Sequence, residues 1–267
     1  MRPALLLATM GLVAAASATA AEPKDLEALL ATGQCPKCDL RDARLKAADL
    51  KGAVLAKANL READLKGAVL TGAGLAQADL RRAVLEQTDL SGADLSGALL
   101  TEADLEKANL AGARLKGSDL RDADLEKADL TGALLDGADL RGASPKRAVL
   151  RRASLQDIKA DGADFERADL EGAVLNGADL EQADLTRAVL REASLRGAKL
   201  AGADLHRADL TGADLHRANL EDATLRLAVL RGASLESAAG LTQEQLDQAC
   251  GDEATRLPKG LRIKRCE

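Results

Sequence analysis

No tryptophan and no tyrosine occur among the 267 residues, and Phe165 is the single phenylalanine. A globular core of this chain length ordinarily uses aromatics for their large buried area. The 46% of hydrophobic residues, nearly all Ala, Leu and Val, therefore describe a narrow, repetitive interior. The same absence removes the stacking platforms on which single-stranded nucleic acid is bound, and the net charge of −6 has the wrong sign for a phosphate backbone. Histidine is scarce, with only His206 and His216. Only one Cys-x-x-Cys pair exists among four cysteines, which excludes a zinc site built from two such pairs. Beyond the first twenty residues no stretch approaches the ~18 continuous apolar residues of a membrane-spanning helix.

What the N-terminus has is distinctive. Arg2 supplies a positive start, Ala4 to Ala15 an apolar stretch, and Ala18-Thr19-Ala20 a small-x-small cleavage signal. Residues 1–20 are expected to be a secretory signal peptide cleaved after Ala20, which places the mature chain in the periplasm or outside the cell.

From Cys38 to Ser237 the chain divides into forty pentapeptides without insertion or deletion. The first position is Ala in 36 of the forty, with Cys38, Thr88, Ser118 and Ile158 as exceptions. The third is Leu in 37, with Pro145, Ala160 and Phe165 as exceptions. The residue between them is Asp or Asn in 21, and 17 of the 23 glycines fall two places after the Leu. A period of five winds the leucines around every side of an α-helix and alternates them between the faces of a flat strand. It closes if the chain turns a corner every five residues, which makes a square coil of twenty with Ala and Leu inside. Glycine at the corner supplies the positive φ of a type II turn, and Asp or Asn bonds to the turn backbone. Two hundred residues give about ten coils, a rod roughly 48 Å long at the ~4.8 Å spacing of β-strands.

Runs such as Ala-Asn-Leu-Arg-Glu-Ala-Asp-Leu at 58–65 and Ala-Asp-Leu-Ser-Gly-Ala-Leu-Leu at 93–100 resemble the A-(D/N)-L-x-x signature of pentapeptide-repeat proteins. The resemblance covers about three quarters of the chain. It implies an all-β solenoid, the right-handed quadrilateral β-helix of that family, including its hand. It also brings in the family's acidic DNA mimics, which occupy the DNA-binding groove of type II topoisomerases and dimerise through aromatic-bearing C-terminal elements. This chain departs from them. The repeats hold 35 acids and 29 bases, its four faces sum to about −5, +1, −2 and 0, and its C-terminus has no aromatic residue.

An open solenoid leaves an unpaired strand edge at each end, and each end carries a candidate cap. In the segment 21–37, Lys24 to Thr32 is expected to form a short helix with Pro23 near its start and Gly33 past its end. In the segment 238–267, Thr242-x-x-Gln245 signals a helix that should stop at Gly251. Cysteines a rod length apart cannot meet, because a disulfide needs Cα atoms within ~7 Å. Bridges are therefore confined to Cys250–Cys266 and Cys35–Cys38. The second pair is also open to reading as two buried thiols or a redox motif.

A prism filled by leucine offers no pocket, so no catalytic residue, cofactor or metal site is expected. His206 and His216 fall on opposite sides of a coil. One interruption stands out, where Pro145, Ile158, Ala160 and Phe165 break the inward pattern. It is expected to be a local bulge. Across it lie Lys146, Arg147, Arg151 and Arg152 on two adjacent faces, a candidate dock for an acidic partner. A second candidate is the set of outward aliphatics at 54, 69, 84, 99, 134, 149, 174, 189 and 229, seven of them on two adjacent faces. The expected function is a non-enzymatic structural or protein-binding scaffold of the cell envelope with an unidentified protein partner. Inhibition by surface mimicry of an enzyme's binding groove is the alternative. Neither nucleic acid nor a membrane span enters, and end-to-end pairing of two copies is the one self-association considered.

Overall fold

The computed structural model describes residues 22–267; the expected signal peptide lies outside them. One unit explains how the chain closes. In Ala63–Gly67, the Ala63 N–H donates to Leu60 O across the corner (3.1 Å), and the Asp64 N–H donates back one coil to Ala43 O (2.9 Å). Leu65 donates forward to Val84 O (2.8 Å) and Gly67 forward to Glu86 O (2.9 Å). The remaining N–H, on Lys66, goes to the Asp64 side chain at 3.1 Å. Every backbone donor of the unit is thus paired, as a tightly wound chain requires.

Repetition of this scheme produces parallel pairing between residues twenty apart, from Gln34↔Val54 through Asn219↔Ala239. A coil therefore takes twenty residues and has four walls, a quadrilateral β-helix. Each wall is only three residues long, so one outward residue per wall makes the bridge and no long strand develops. The inward Ala and Leu of the repeats are nearly all 0–3% exposed. Two polar residues at Ala positions keep their bonds inside: Thr88 Oγ1 donates to Leu65 O and Ser118 Oγ to Leu115 O, both at 2.8 Å.

The corners hold a surprise relative to the glycine pattern. Every corner residue from Asp42 to Gly232 has positive φ, and 22 of those 39 are not glycine. Stacking imposes the left-handed conformation on Lys, Arg, Glu and Gln, whose side chains strain there by about 1 kcal/mol each. An added Cβ at Gly132 meets nothing within 4 Å, so a substitution there reports backbone conformation alone. Gly132→Ala is expected to destabilise by about 1 kcal/mol and Lys57→Gly to stabilise by a similar amount. Denaturant midpoints check both; equal midpoints for the two variants would remove the claim of corner strain.

The interruption at Pro145 is not the bulge expected from sequence. The turns continue in phase, and the Ala148 N–H still donates to Pro145 O at 3.1 Å. Only the bridge that would join Ser144 to Asp164 is missing from its wall. Proline there removes one forward-donating N–H and leaves its carbonyl in use, so one bond is lost without a change of register. Ile158, Ala160 and Phe165 all remain buried.

Both ends are covered. Helix α1, Pro23–Thr32, starts on proline, ends at Gly33 with φ +69°, and buries Leu29. Pairing begins right behind it at Gln34, with Cys35 1% exposed. Helix α2, Gln243–Asp247, opens with the capping box of Thr242 and Gln245. It stops well before Gly251, because Cys250 is drawn into the wall beneath Val229. The Gln245 side chain reaches back to the carbonyls of Leu220 and Ala223 at 2.8 Å and ties the cap to the last full coil.

Candidate functional site

With the interior filled, the surface is set by three outward residues per wall, each aligned with its equivalents one coil away. All 21 Asp and Asn at the bridging position accept a bond from the backbone N–H two residues on, as in Asp124 Oδ1 with Glu126 (2.8 Å) and Asp184 Oδ1 with Thr186 (2.8 Å). These acids are turn supports first, and their charge is a by-product of that role.

On one wall the acids are also covered. Arg41, Arg81, Arg121 and Arg141 each fork back onto the aspartate two residues earlier, as in Arg121 Nε to Asp119 Oδ1 at 2.8 Å and Nη2 to Oδ2 at 2.7 Å. The guanidinium bond holds the Asp119 and Asp139 carboxyls below the usual carboxylate range. At Leu99 and Thr101 one such rung is absent, leaving a surface hollow of about 370 Å³ bordered by Arg61, Arg81 and Arg121.

The four basic residues singled out by sequence lie on two successive corners of one coil, with Val149 on the wall between. The structure neutralises one at each corner. Lys146 pairs with Glu166 and stands 3.7 Å from Asp164, while Arg151 pairs with Asp169 at 2.6 Å and Glu171 at 3.7 Å. Among the described residues Arg147 and Arg152 form no ion pair. The outward aliphatics fare less well as a docking flank. The valines are half-buried along their walls, and of this set only Leu99 (37%) and Leu134 (45%) are exposed, on different walls.

Sequence reading in fives missed a feature that appears only in register of twenty. The corner carrying Arg147 continues as Lys107, Lys127, Arg147, Arg167, Arg187 and Arg207 on six successive coils. Acids flank it: Asp164, Asp184 and Asp204 on one side, Asp169 and Asp209 on the other.

The histidines are engaged locally, His206 Nδ1 with Arg226 Nε at 3.4 Å and His216 Nδ1 with Ser237 Oγ at 2.8 Å. The structure pairs Cys35 with Cys38 and Cys250 with Cys266, with Cα atoms 5.4 and 4.8 Å apart. Asp25 lies against the first pair, and its backbone carbonyl is 3.1 Å from Cys35 Sγ. With both sulfurs engaged with each other, this trio offers no thiolate for a metal. The Cys250–Cys266 bridge closes a loop with sequence separation 16, a size for which a disulfide contributes about 3 kcal/mol. The purified, denatured protein is expected to show no free thiol. Reduction should loosen the C-terminal tail before the repeats, read by proteolysis. Four reactive thiols would contradict the pairing.

No helix among the described residues is long and apolar enough to cross a membrane. The family model described as "Pentapeptide repeats (8 copies)" matches the chain in overlapping segments from 38–77 to 208–239. No curated protein matches. Among solved structures, HetL of the cyanobacterium Nostoc sp. strain PCC 7120, a pentapeptide repeat protein involved in heterocyst differentiation regulation, is 37% identical. That match covers 80% of this chain and 94% of HetL, with a TM-score of 0.52. A pentapeptide repeat protein of the Arabidopsis thaliana thylakoid lumen is 34% identical over 40% of this chain and 70% of its own, with a TM-score of 0.30. The plasmid-mediated fluoroquinolone resistance protein QnrB1 is 21% identical over 71% of this chain and 92% of its own, with a TM-score of 0.34.

Proposed function

Since this chain belongs to the pentapeptide-repeat family, we propose that it is a non-catalytic rod of the cell envelope, a right-handed helix of about ten coils that holds a protein partner on its surface. The observation that carries this reading is the interior: Ala and Leu fill all four walls, so recognition is left to the outward columns. Those columns are rigid, because most backbone donors are tied to a neighbouring coil or to their own turn. A partner that spans several coils meets side chains whose spacing does not change. Binding then costs little ordering on this side.

The rod is exported and cleaved after Ala20, and acts in the periplasm or outside the cell. Its two cysteine pairs are oxidised there. Sequencing the mature N-terminus is expected to start at Ala21; retention of Met1 would remove the export reading. The DNA-like mimic is the weaker reading. Mimicry needs one continuous acidic flank, whereas the most acidic wall carries Arg81, Arg121 and Arg141 over its aspartates.

Crosslinking and co-purification from the native envelope test the scaffold reading. Wild type is expected to capture a protein partner, and Arg151→Glu/Arg152→Glu to capture less of it. Equal capture by both removes that corner from the interface; absence of any specific partner removes the reading.

A further inference from the structure

Glycine is the unstrained residue at a corner of positive φ, and the four corners use it very unequally. On the corner through Gly132, eight of ten positions are glycine; on the corner through Arg147, only Gly67 is. Six successive positions there are instead Lys107, Lys127, Arg147, Arg167, Arg187 and Arg207, with φ between +56° and +60°. The pairing of Asp164 with Asp184 and of Asp184 with Asp204 puts their corners one coil apart, about 4.8 Å.

Glu106 and Glu126 engage Lys107 and Lys127 at 2.7 Å. Among the described residues the four arginines form no ion pair and no side-chain hydrogen bond, and all four are exposed. Backbone strain and repulsion between aligned cations both oppose this arrangement in the isolated rod. A ligand that sets one anion against each rung removes the repulsion, and the arginine fork suits a carboxylate.

We propose that this corner docks an α-helix of the partner protein bearing one carboxylate per turn. This rests on the reading of the rod as a protein-binding scaffold and names the chemistry it recognises. The spacing decides the class. A helix repeats every 5.4 Å, about 0.6 Å more than the ~4.8 Å coil, an offset that four flexible arginines absorb. Same-side residues of an extended strand lie ~6.7 Å apart and skip rungs. On one flank Asp184 and Asp204 form no ion pair among the described residues and favour basic residues on that side of the partner's acidic stripe; on the other, Arg151 and Arg191 already pair with Asp169 and Asp209.

The corner chemistry supplies a test that separates binding from folding. In the variant Arg147→Gly/Arg167→Gly/Arg187→Gly/Arg207→Gly, each arginine becomes the residue that most suits its φ. A synthetic helical peptide with glutamate at every turn along one face is titrated by fluorescence anisotropy at low salt. A second peptide has the same composition with its glutamates distributed around the helix. Wild type is expected to bind the striped peptide at least tenfold tighter than the scrambled one. The quadruple variant should lose that binding at least tenfold while melting at the same or a higher temperature. A control lacking Lys46, Lys51, Arg114 and Lys116 should bind as wild type. Equal affinity for the two peptides, or undiminished binding by the glycine variant, overturns the proposal. So does an envelope partner captured equally by the glycine variant, and that result leaves the scaffold reading intact.

Discussion

Leu130→Asp is expected to abolish cooperative folding of the repeats, a loss of about 5 kcal/mol or more. Leu130 is 1% exposed and sits mid-rod. Its removal alone empties a side-chain volume worth about 2–5 kcal/mol, and the new carboxylate has no partner within a wall of Ala and Leu. A solenoid cannot confine the damage, because each coil is stabilised only by its neighbours. Severing the stack at this level leaves two shorter arrays, each with a new open edge. The adjacent outward change Asp129→Ala should cost only about 1 kcal/mol, the worth of the turn bond to the Thr131 N–H at 2.9 Å. Far-ultraviolet circular dichroism and limited proteolysis distinguish the two. A Leu130→Asp rod that melts like wild type would mean the leucines do not hold the walls together.

The second large effect is a compensation inside one coil. Ala160 and Phe165 occupy the inward Leu positions of two successive walls, one too small and one too large, and both are 0% exposed. Nothing in the turn pattern registers the exchange. The phenyl ring and Ile158, both buried beside the alanine in sequence, are expected to fill the space it leaves. Phe165→Leu alone is expected to lose about 1–2 kcal/mol of buried contact. Ala160→Leu alone should overpack the coil and lose about 1–3 kcal/mol. Together they return both Leu positions to the repeat while Ile158 stays large at an Ala position, so the double variant should lose less than the sum of the two, a coupling between neighbouring sites. Simple additivity in the thermodynamic cycle would show that the two side chains do not share that space.

Most of the architecture was legible because its period is the fold. Ala and Leu at positions one and three of every five dictate inward faces, and aspartate between them dictates the turn bond. The caps were legible from Pro23, Gly33 and the Thr242/Gln245 box, although α2 proved shorter once Cys250 was claimed by the wall. Pro145 looked more disruptive in sequence than it is, since the loss of one N–H is invisible to a register fixed by neighbours on both sides. The surface was the hard part. Lys146 and Arg151 look free in a linear string, and only their neighbours twenty residues on, Glu166 and Glu171 among them, reveal that they are paired. The arginine ladder escaped for the same reason: its members are never closer than twenty residues in sequence.

The account stands on the twenty-residue closure of the chain, and paired spin labels test it directly. Labels on cysteines introduced at Arg147 and Arg167 are expected to sit on adjacent rungs and show strong exchange broadening; labels at Arg147 and Asp157, on opposite corners of one coil, should show none. Native cysteines do not interfere, since none is free. Narrow, uncoupled spectra from the 147/167 pair would contradict the square coil and every surface column built on it.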